Sequence, residues 1–304
     1  MKNIFKGMVL ALLVAGGFAS CSDSEDTTPS YVDANGYAPA DNDNSETAQL
    51  RRQFKEQTGS YLLFTDTLSK KQVSVDAFGK PVYDVEMMDI TYNMMGLSDN
   101  EYRCTYKYIT DTGRQRQAVQ TFIDKLGSRL GKTAPFSVLL VDSISQWTQN
   151  DKKEYVLYKK NPHPVLMMGA RCCVVSLSGD DAFTKDDYFD SMLETILYSN
   201  LKINSNQLEE YWAPVKNLIG KYKDDLGYDL GYDEDLAKSL GFLTDWNKYF
   251  FCTKKDNDLK DYVHAICSYS LEQFEEEYEQ YPICISRFKI LRNYVLSLGV
   301  KLDK

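Results

Sequence analysis

The fold class is decided by two neighbouring stretches, HPVLMMGARCCVVSL (residues 163–177) and DYFDSMLETILYSNL (residues 187–201). The first is an apolar, β-rich run interrupted by turn residues, which is typical of central strands in a sheet. The second repeats apolar residues at helical spacing, and Thr184 followed by Asp187 forms a capping arrangement ahead of it. One face of this predicted helix carries Phe189, Met192, Leu193, Ile196, Leu197 and Leu201. The pattern therefore changes from strand to helix between the two stretches.

Strand and helix patterns alternate on the N-terminal side of this change. Helices are predicted over 46–59, ending at Gly59, and over 116–131, ending at Gly131, while strands are predicted over 60–66, 82–92 and 136–144. On the C-terminal side only helical patterns follow, over 206–220, 233–241, 256–269, 271–281 and 285–299. We therefore predict an α+β fold, in which a mixed α/β sheet half is followed by a helical half.

The N-terminus has the pattern of a bacterial lipoprotein signal. Lys2 and Lys6 precede a short apolar run, and small residues then lead to Cys21. The run is too short to span a bilayer, which takes about 20 apolar residues. We predict a signal peptide over residues 1–20 and lipid attachment at Cys21, although Phe18 stands where leucine is commoner. A plain secretory signal is the alternative.

The segment after the signal, residues 21–47, is acidic, rich in Ser, Thr and Asn, and almost free of aliphatic side chains. It buries too little apolar surface to offset its ordering, so we predict a flexible tether ahead of one domain over residues 48–304. Its acidic cluster directly after Cys21 resembles the export signal of surface-displayed Bacteroidetes lipoproteins. We therefore predict a protein anchored in the outer membrane by its acyl chains and exposed at the cell surface.

Composition argues against several functional classes. The net charge of −9 argues against nucleic-acid binding and against a basic lipid-binding patch. The only histidines are His163, predicted in a loop or strand start, and His264, predicted on a helix, and no H-E-x-x-H or G-x-S-x-G pattern occurs. The cysteines other than Cys21 form no C-x-x-C pair, and their disulfide pairing stays open. Cys172 and Cys173 are typical of small core residues in a strand.

Carboxylates and aromatic residues give weaker indications. The acidic clusters at 179–187 and 222–235 lack the pattern of a calcium loop, which favours solvated surface. Most of the 22 tyrosines, 14 phenylalanines and 3 tryptophans are expected in the core or at its margin. A ridge of exposed tyrosine or tryptophan would instead indicate a surface on which sugars or peptide side chains stack.

Several segments together resemble a known family. LRRQFKEQTGSYLLF, QTFIDKLGSRLG with FSVLLVDS, LGFLTDWNKYFFCTKKDNDLKDYVHAI and ISRFKILRNYVLSLGVKLDK are similar, in this order, to segments of zinc-metallohydrolase lipoproteins of Bacteroidetes. These lipoproteins are associated with SusC/SusD-type nutrient importers. The resemblance covers nearly all of the mature chain and implies a zincin-like fold.

The resemblance also implies where a zinc site would lie. In that family a central helix carries H-E-x-x-H, because two histidines one turn apart place both nitrogens on one face for Zn²⁺. Here Leu193 and Leu197 stand at the two histidine positions, Glu194 at the general-base position and Asp261 at the third-ligand position. Leucine has no donor atom, so we expect a zincin-like scaffold without catalytic zinc and no cofactor beyond the lipid on Cys21.

Three functions follow as hypotheses. The leading one is a non-catalytic accessory or binding component of a TonB-dependent, SusC/SusD-type importer, with a peptide or glycan ligand that the sequence does not identify. The second is an active hydrolase with a non-standard metal centre built from Glu194, Asp261 and His264. The third is a glycan-binding surface lipoprotein. A misplaced resemblance, in which 190–201 is an ordinary core helix, also predicts no H-E-x-x-H zinc chemistry.

Overall fold

The computed structural model describes residues 35–88, 102–160, 163–169, 171–177, 186–201 and 206–302. The predicted signal peptide, Cys21 and the Thr184 cap lie outside the described residues. The chain divides into two units, Met1–Asn35 and Gly36–Lys304. Within the described ranges, no helix combines the length and apolar character needed to cross a membrane.

The described residues form an α+β fold, which confirms the predicted class. The strands are β1 (Tyr61–Leu63), β2 (Thr67–Val75), β3 (Pro81–Met87), β4 (Tyr102–Tyr108), β5 (Ser137–Gln149), β6 (Tyr155–Leu157), β7 (Leu166–Met168) and β8 (Cys172–Ser176). The helices are α1 (Glu46–Thr58), α2 (Thr112–Lys125), α3 (Asp186–Asn200), α4 (Glu209–Trp212), α5 (Glu234–Leu240), α6 (Lys255–Ser268), α7 (Leu271–Glu277) and α8 (Pro282–Ser297). Helices alone follow β8 in the described part of the chain, as the change of pattern predicts.

Strand β5 organises the main sheet, which has six strands. Its first residues pair in parallel with β1 on one edge and with β8 on the other. Its later residues pair antiparallel with β4 and β6, and β7 pairs antiparallel with β8. A single long strand therefore joins a parallel half of the sheet to an antiparallel half.

The two faces of this sheet enter different apolar clusters. Val138, Leu140, Cys173 and Val175 belong to the main core, which includes residues of every helix. Leu139, Val141, Cys172 and Val174 belong to a smaller cluster with Tyr37, Leu63 and Met88. Side chains alternate between faces along a strand, so the adjacent cysteines point to opposite sides. Both are buried, which confirms their prediction as small core residues.

Helix ends follow the local sequence where a cap is present. The side chain of Ser45 accepts a hydrogen bond from the backbone of Ala48, and Gly59 ends α1 with a left-handed φ of 76°. The second predicted helix ends earlier than expected, because α2 stops at Lys125 and short 3₁₀ turns follow. A Cβ on Gly127 would lie 2.9 Å from a Thr58 methyl carbon, so this glycine permits a close approach to α1.

The helix predicted over 206–220 is mostly absent. A 3₁₀ turn and the four-residue α4 occupy its start, and turns occupy the remainder. Pro214 follows this short helix after Ala213. Proline has no N–H to continue the helical ladder, so the apolar periodicity here does not extend the helix.

The described residues before α1 contact the domain. Tyr37 is buried near the rings of Tyr61 and Phe136. The Arg51 side chain donates to the Tyr37 carbonyl at 2.7 Å, and that of Arg52 donates to the Ala40 carbonyl at 2.8 Å. The compact unit accordingly begins at Gly36, ahead of the predicted domain start at residue 48.

Strands β2 and β3 form a separate antiparallel hairpin. Its apolar side chains are exposed, including Val75, Tyr83, Val85 and Met87, and Phe78 at its turn is 89% exposed. The structure describes residues 82–88 of the strand predicted over 82–92, and the remaining residues lie outside the described part. Strand β2, by contrast, was not among the predicted strands.

Candidate functional site on helices α3 and α6

The positions that the family resemblance assigns to zinc ligands lie in the protein core. Leu193 and Leu197 are both 0% exposed and belong to the main apolar cluster. They extend a face of α3 on which Phe189, Met192 and Ile196 are also buried, as the helical spacing predicts. These two leucines therefore fill the interior and line no cleft.

Glu194 lies between these leucines in sequence but points to a different environment. Helix α3 packs against α6, and Glu194 Oε2 lies 2.9 Å from Nδ1 of His264. A carboxylate only accepts hydrogen bonds, so Nδ1 carries the proton in this contact. The Glu194 side chain is 24% exposed and the His264 side chain 64% exposed. The pair is therefore a surface contact between two helices.

Asp261 lies one helical turn before His264 on α6. Its Oδ2 accepts a hydrogen bond from the Trp246 indole nitrogen at 3.0 Å. Burial raises the pKa of the Asp261 carboxyl to about 6, while hydrogen bonds from Trp246 and Thr244 oppose part of that rise. The carboxyl therefore keeps its proton to a higher pH than an ordinary aspartate does.

The donor atoms present do not fit an H-E-x-x-H zinc site. The side chains of Leu193 and Leu197 have no nitrogen or oxygen, so Glu194 and Asp261 alone remain of the family's ligand and base positions. Across the described residues, no group of three or more His, Cys, Asp and Glu side chains is arranged to hold a metal ion. The arrangement supplies a carboxylate–imidazole pair and a separate, partly buried carboxyl.

A buried ion pair lies behind this surface. Asp258 and Arg287 have side-chain exposures of 1% and 0% and form a direct salt bridge. Tyr211 donates its hydroxyl hydrogen to Asp258 Oδ2 at 2.8 Å, and Arg287 Nε donates to the Tyr211 carbonyl at 3.0 Å. This network joins α4, α6 and α8, so it fixes the helix that carries Asp261 and His264.

Sequence reasoning identified some of these residues and missed others. It named Glu194, Asp261 and His264, and the structure brings the first and third into contact. It missed Asp258 and Arg287, although both are charged residues on the apolar faces of their helices. A charged residue on an apolar face indicates a buried partner, because an unpaired charge is rarely tolerated there.

The remaining histidine has no part in this surface. His163 is exposed and lies just before β7, as its prediction in a loop or strand start requires. The cysteines Cys104, Cys172, Cys173, Cys252, Cys267 and Cys284 all lie in the described part of the chain and have free thiols. The candidate site thus consists of the α3–α6 surface, with Glu194, His264 and Asp261 as its ionisable groups.

Comparison with protein-family models, with curated proteins and with solved structures finds no match to this chain.

Proposed function

We propose that this protein is a non-catalytic, surface-anchored lipoprotein with a zincin-like fold, a degenerate relative of the zinc-metallohydrolase lipoproteins. Its role is that of an accessory or binding component of a TonB-dependent, SusC/SusD-type importer. The observation that supports the loss of catalysis is the complete burial of Leu193 and Leu197. Side chains without donor atoms occupy both histidine positions and pack into the core.

The surroundings of Glu194 support the same proposal. In the zinc enzymes the corresponding carboxylate activates a metal-bound water molecule. Here that carboxylate accepts a hydrogen bond from His264, which is itself largely exposed to solvent. Glu194 is therefore paired across two helices, and its neighbours Leu193 and Leu197 offer nothing that would hold a metal beside it.

Metal content tests the non-catalytic proposal. The full-length protein, purified without chelators, is analysed for zinc and other transition metals by mass spectrometry and assayed for peptidase activity. We expect far less than one metal ion per chain and no hydrolysis. Zinc near one ion per chain, or hydrolysis that a chelator abolishes, would overturn the proposal.

The Glu194–His264 contact also favours a second candidate, a hydrolase with a non-standard centre that includes Asp261. This candidate predicts hydrolysis that His264→Ala abolishes and Cys267→Ser preserves, since Cys267 lies on the same helix. Hydrolysis that is equal in both variants would exclude the proposed centre. Absence of hydrolysis in the unaltered protein would exclude the enzyme.

Lipid attachment is tested separately at Cys21. We expect the unaltered protein to incorporate labelled palmitate and to fractionate with the outer membrane. Cys21→Ser should lose both properties, whereas the control Cys267→Ser should keep them. Membrane association and labelling that persist in Cys21→Ser would show that the anchor lies elsewhere.

Association with an importer is tested by purification at native expression from detergent-solubilised outer membranes. The proposal predicts that a TonB-dependent transporter and its SusD-like lid co-purify with the tagged chain. A second tagged lipoprotein of the same membrane serves as the control for nonspecific recovery. Equal recovery of transporter with both baits, or none with this chain, would remove the importer from the proposal.

A further inference from the structure

The basic residues of this chain are concentrated in its sheet half, which the net charge of the whole chain conceals. Residues 102–160 contain eleven Lys and Arg residues against five Asp and Glu residues. Residues 206–302 contain twelve Lys and Arg residues against seventeen Asp and Glu residues. A protein with negative net charge can therefore present a locally positive surface, which attracts an anionic partner.

The densest group of these basic residues lies at the far end of β5. Lys152 and Lys153 occupy the turn between β5 and β6. Lys159 and Lys160 directly follow β6, and Arg103 lies on β4 opposite the same end of β5. All five residues are exposed, and we call them the basic end. Because β6 is only three residues long, the two lysine pairs lie within about 20 Å of each other.

The basic end carries more positive than negative charge. Within the described ranges, none of the salt bridges involves any of its five residues. The acidic residues of the turn are Asp151 and Glu154, and the Glu154 carboxylate accepts a hydrogen bond from the Asn150 side-chain amide at 3.0 Å. Lys107, farther along β4, differs from the basic end, since its ammonium lies 2.7 Å from the Asp142 carboxylate.

Asn150 fixes the turn that carries two of these lysines. Its side-chain oxygen accepts hydrogen bonds from the backbone N–H groups of Lys152 and Glu154, each at 2.9 Å. Its own backbone N–H donates to the Glu154 carbonyl, also at 2.9 Å. Asparagine commonly stabilises turns through such contacts with the following backbone. The turn therefore presents Lys152 and Lys153 at a defined place beyond the end of β5.

Aromatic and aliphatic side chains lie among these cations. Trp147 on β5 pairs across the strands with Arg103 on one side and with Leu157 on the other. The Arg103 guanidinium carbon lies 4.0 Å from the centroid of the Tyr155 ring on β6. Val156 and Leu157 are both exposed. This end of the sheet therefore combines aromatic and apolar side chains with basic residues before and after β6.

Such a combination matches the surface of a lipid bilayer with anionic headgroups. Tryptophan and tyrosine rings favour the level of the headgroups, and lysine lays its apolar stem on apolar surface while its ammonium group reaches the phosphates. A planar bilayer requires no shaped pocket, which suits a surface built from one turn and the ends of three strands. The excess of carboxylates in the helical half would be repelled by the same headgroups, which favours the sheet end as the side that faces the lipid.

We propose that the basic end docks on an anionic lipid bilayer, with its lysine side chains at the headgroups and Trp147 among them. This inference deepens the proposed membrane anchoring, because acyl chains on Cys21 would keep the domain within reach of the bilayer. The two proposals fail separately. Palmitate labelling at Cys21 tests the anchor, whereas the position of crosslinks to lipid tests the docking surface.

Photochemical crosslinking to lipid locates the docked surface. The full chain, purified in detergent as the cell processes it, is reconstituted into vesicles of phosphatidylcholine and phosphatidylglycerol, the latter with a photoreactive group near its headgroup. Vesicles of photoreactive phosphatidylcholine alone are the neutral comparison. Digestion with chymotrypsin and mass spectrometry identify the labelled segments. We expect labelling of residues 147–160 in anionic vesicles, and much less in neutral vesicles or at high salt.

Two double variants remove the charges that carry the proposal. One combines Lys152→Gln with Lys153→Gln, and the other combines Lys159→Gln with Lys160→Gln. Each should lower the labelling of residues 147–160 at least about fivefold, because a single lysine near an anionic surface contributes about this factor to the affinity. All four side chains are exposed, so both variants should keep the unfolding midpoint of the unaltered protein.

Lys216→Gln combined with Lys221→Gln is the matched control, since these two exposed lysines lie in the helical half. This control removes the same charge and should leave the labelling unchanged. Labelling that spares residues 147–160, or that is equal in neutral and anionic vesicles, would overturn the proposal. Unchanged labelling in either double variant of the basic end would also overturn it, as would an equal loss in the control.

Discussion

Introducing histidines at Leu193 and Leu197 is the most informative perturbation of the core. Each leucine is 0% exposed, so each replacement removes a fully buried apolar side chain. Truncating a buried leucine to alanine costs about 2–5 kcal/mol. Histidine refills part of that volume but brings ring nitrogens that lack partners in an apolar core, which costs about 1–3 kcal/mol for each unsatisfied group.

We therefore expect Leu193→His and Leu197→His each to lower the free energy of unfolding by about 3–5 kcal/mol. The two positions are one turn apart, so the double variant need not lose the sum. Domains of this kind have a total stability of about 5–15 kcal/mol, which places the double variant near the limit of folding.

Urea unfolding in the presence of EDTA, followed by tryptophan fluorescence, measures these losses. Leu193→Met and Leu197→Met are the controls, because such volume-conserving changes usually cost less than about 1.5 kcal/mol. A double histidine variant that loses no more than the methionine controls would refute the reasoning that these positions are packed core.

Adding Zn²⁺ to the double variant tests the ancestry of the site. On the proposed zincin-like fold, the introduced H-E-x-x-H with Asp261 as third ligand should bind zinc. Zinc at one hundred times its dissociation constant would then raise the free energy of unfolding by about 2.7 kcal/mol. Asp261→Ala in the same background should reduce that gain. Zinc without any effect on unfolding would argue that α3 was never the metal-bearing helix.

Three further changes have defined outcomes. Asp258→Ala leaves the Arg287 charge buried and unpaired, so urea unfolding should show a loss of about 3–5 kcal/mol, and a loss below 1 kcal/mol would contradict the buried network. The Asp261 carboxyl has a pKa of about 6 in the fold against an ordinary value of 3.8, so the folded state binds its proton more tightly. The free energy of unfolding should therefore fall as the pH rises from about 4 to about 6, and Asp261→Asn should remove this part of the pH dependence. An equal dependence of the unfolding free energy on pH in both proteins would refute the prediction. Phe78→Ser changes a side chain that is 89% exposed, and its unfolding free energy should stay within about 0.5 kcal/mol of the unaltered value.

The local sequence was sufficient to predict those elements whose caps or apolar spacing lie within one segment of the chain. Ser45 and Gly59 mark the ends of α1, and the helical spacing from Phe189 to Leu201 predicts the buried face of α3. The alternation around Cys172 and Cys173 likewise follows from strand geometry. In these cases the cap or the period lies within a few residues of the structure that it determines.

Features that depend on distant residues were not predictable in this way. The side chains of Glu194 and His264 meet because α3 and α6 pack together, although the two residues are 70 positions apart. The buried ion pair between Lys223 and Asp245 likewise joins two loops, one on each side of α5, and its residues are 22 positions apart. The spacing of apolar residues along one helix does not show which other helix packs against it. These contacts could therefore be seen only in the tertiary structure.

The burial of four cysteines has a consequence for their reactivity towards oxidants and disulfides. Burial raises the pKa of the Cys172 and Cys284 thiols to about 11 and that of Cys252 to about 12. It also raises the pKa of the Cys173 thiol well above its ordinary value. The thiolate is the form that attacks disulfides and oxidants, and at neutral pH these residues hold almost none of it. In the folded chain these four thiols are therefore protected from oxidation and from mispaired disulfides. They become reactive only before the core has closed or when it opens.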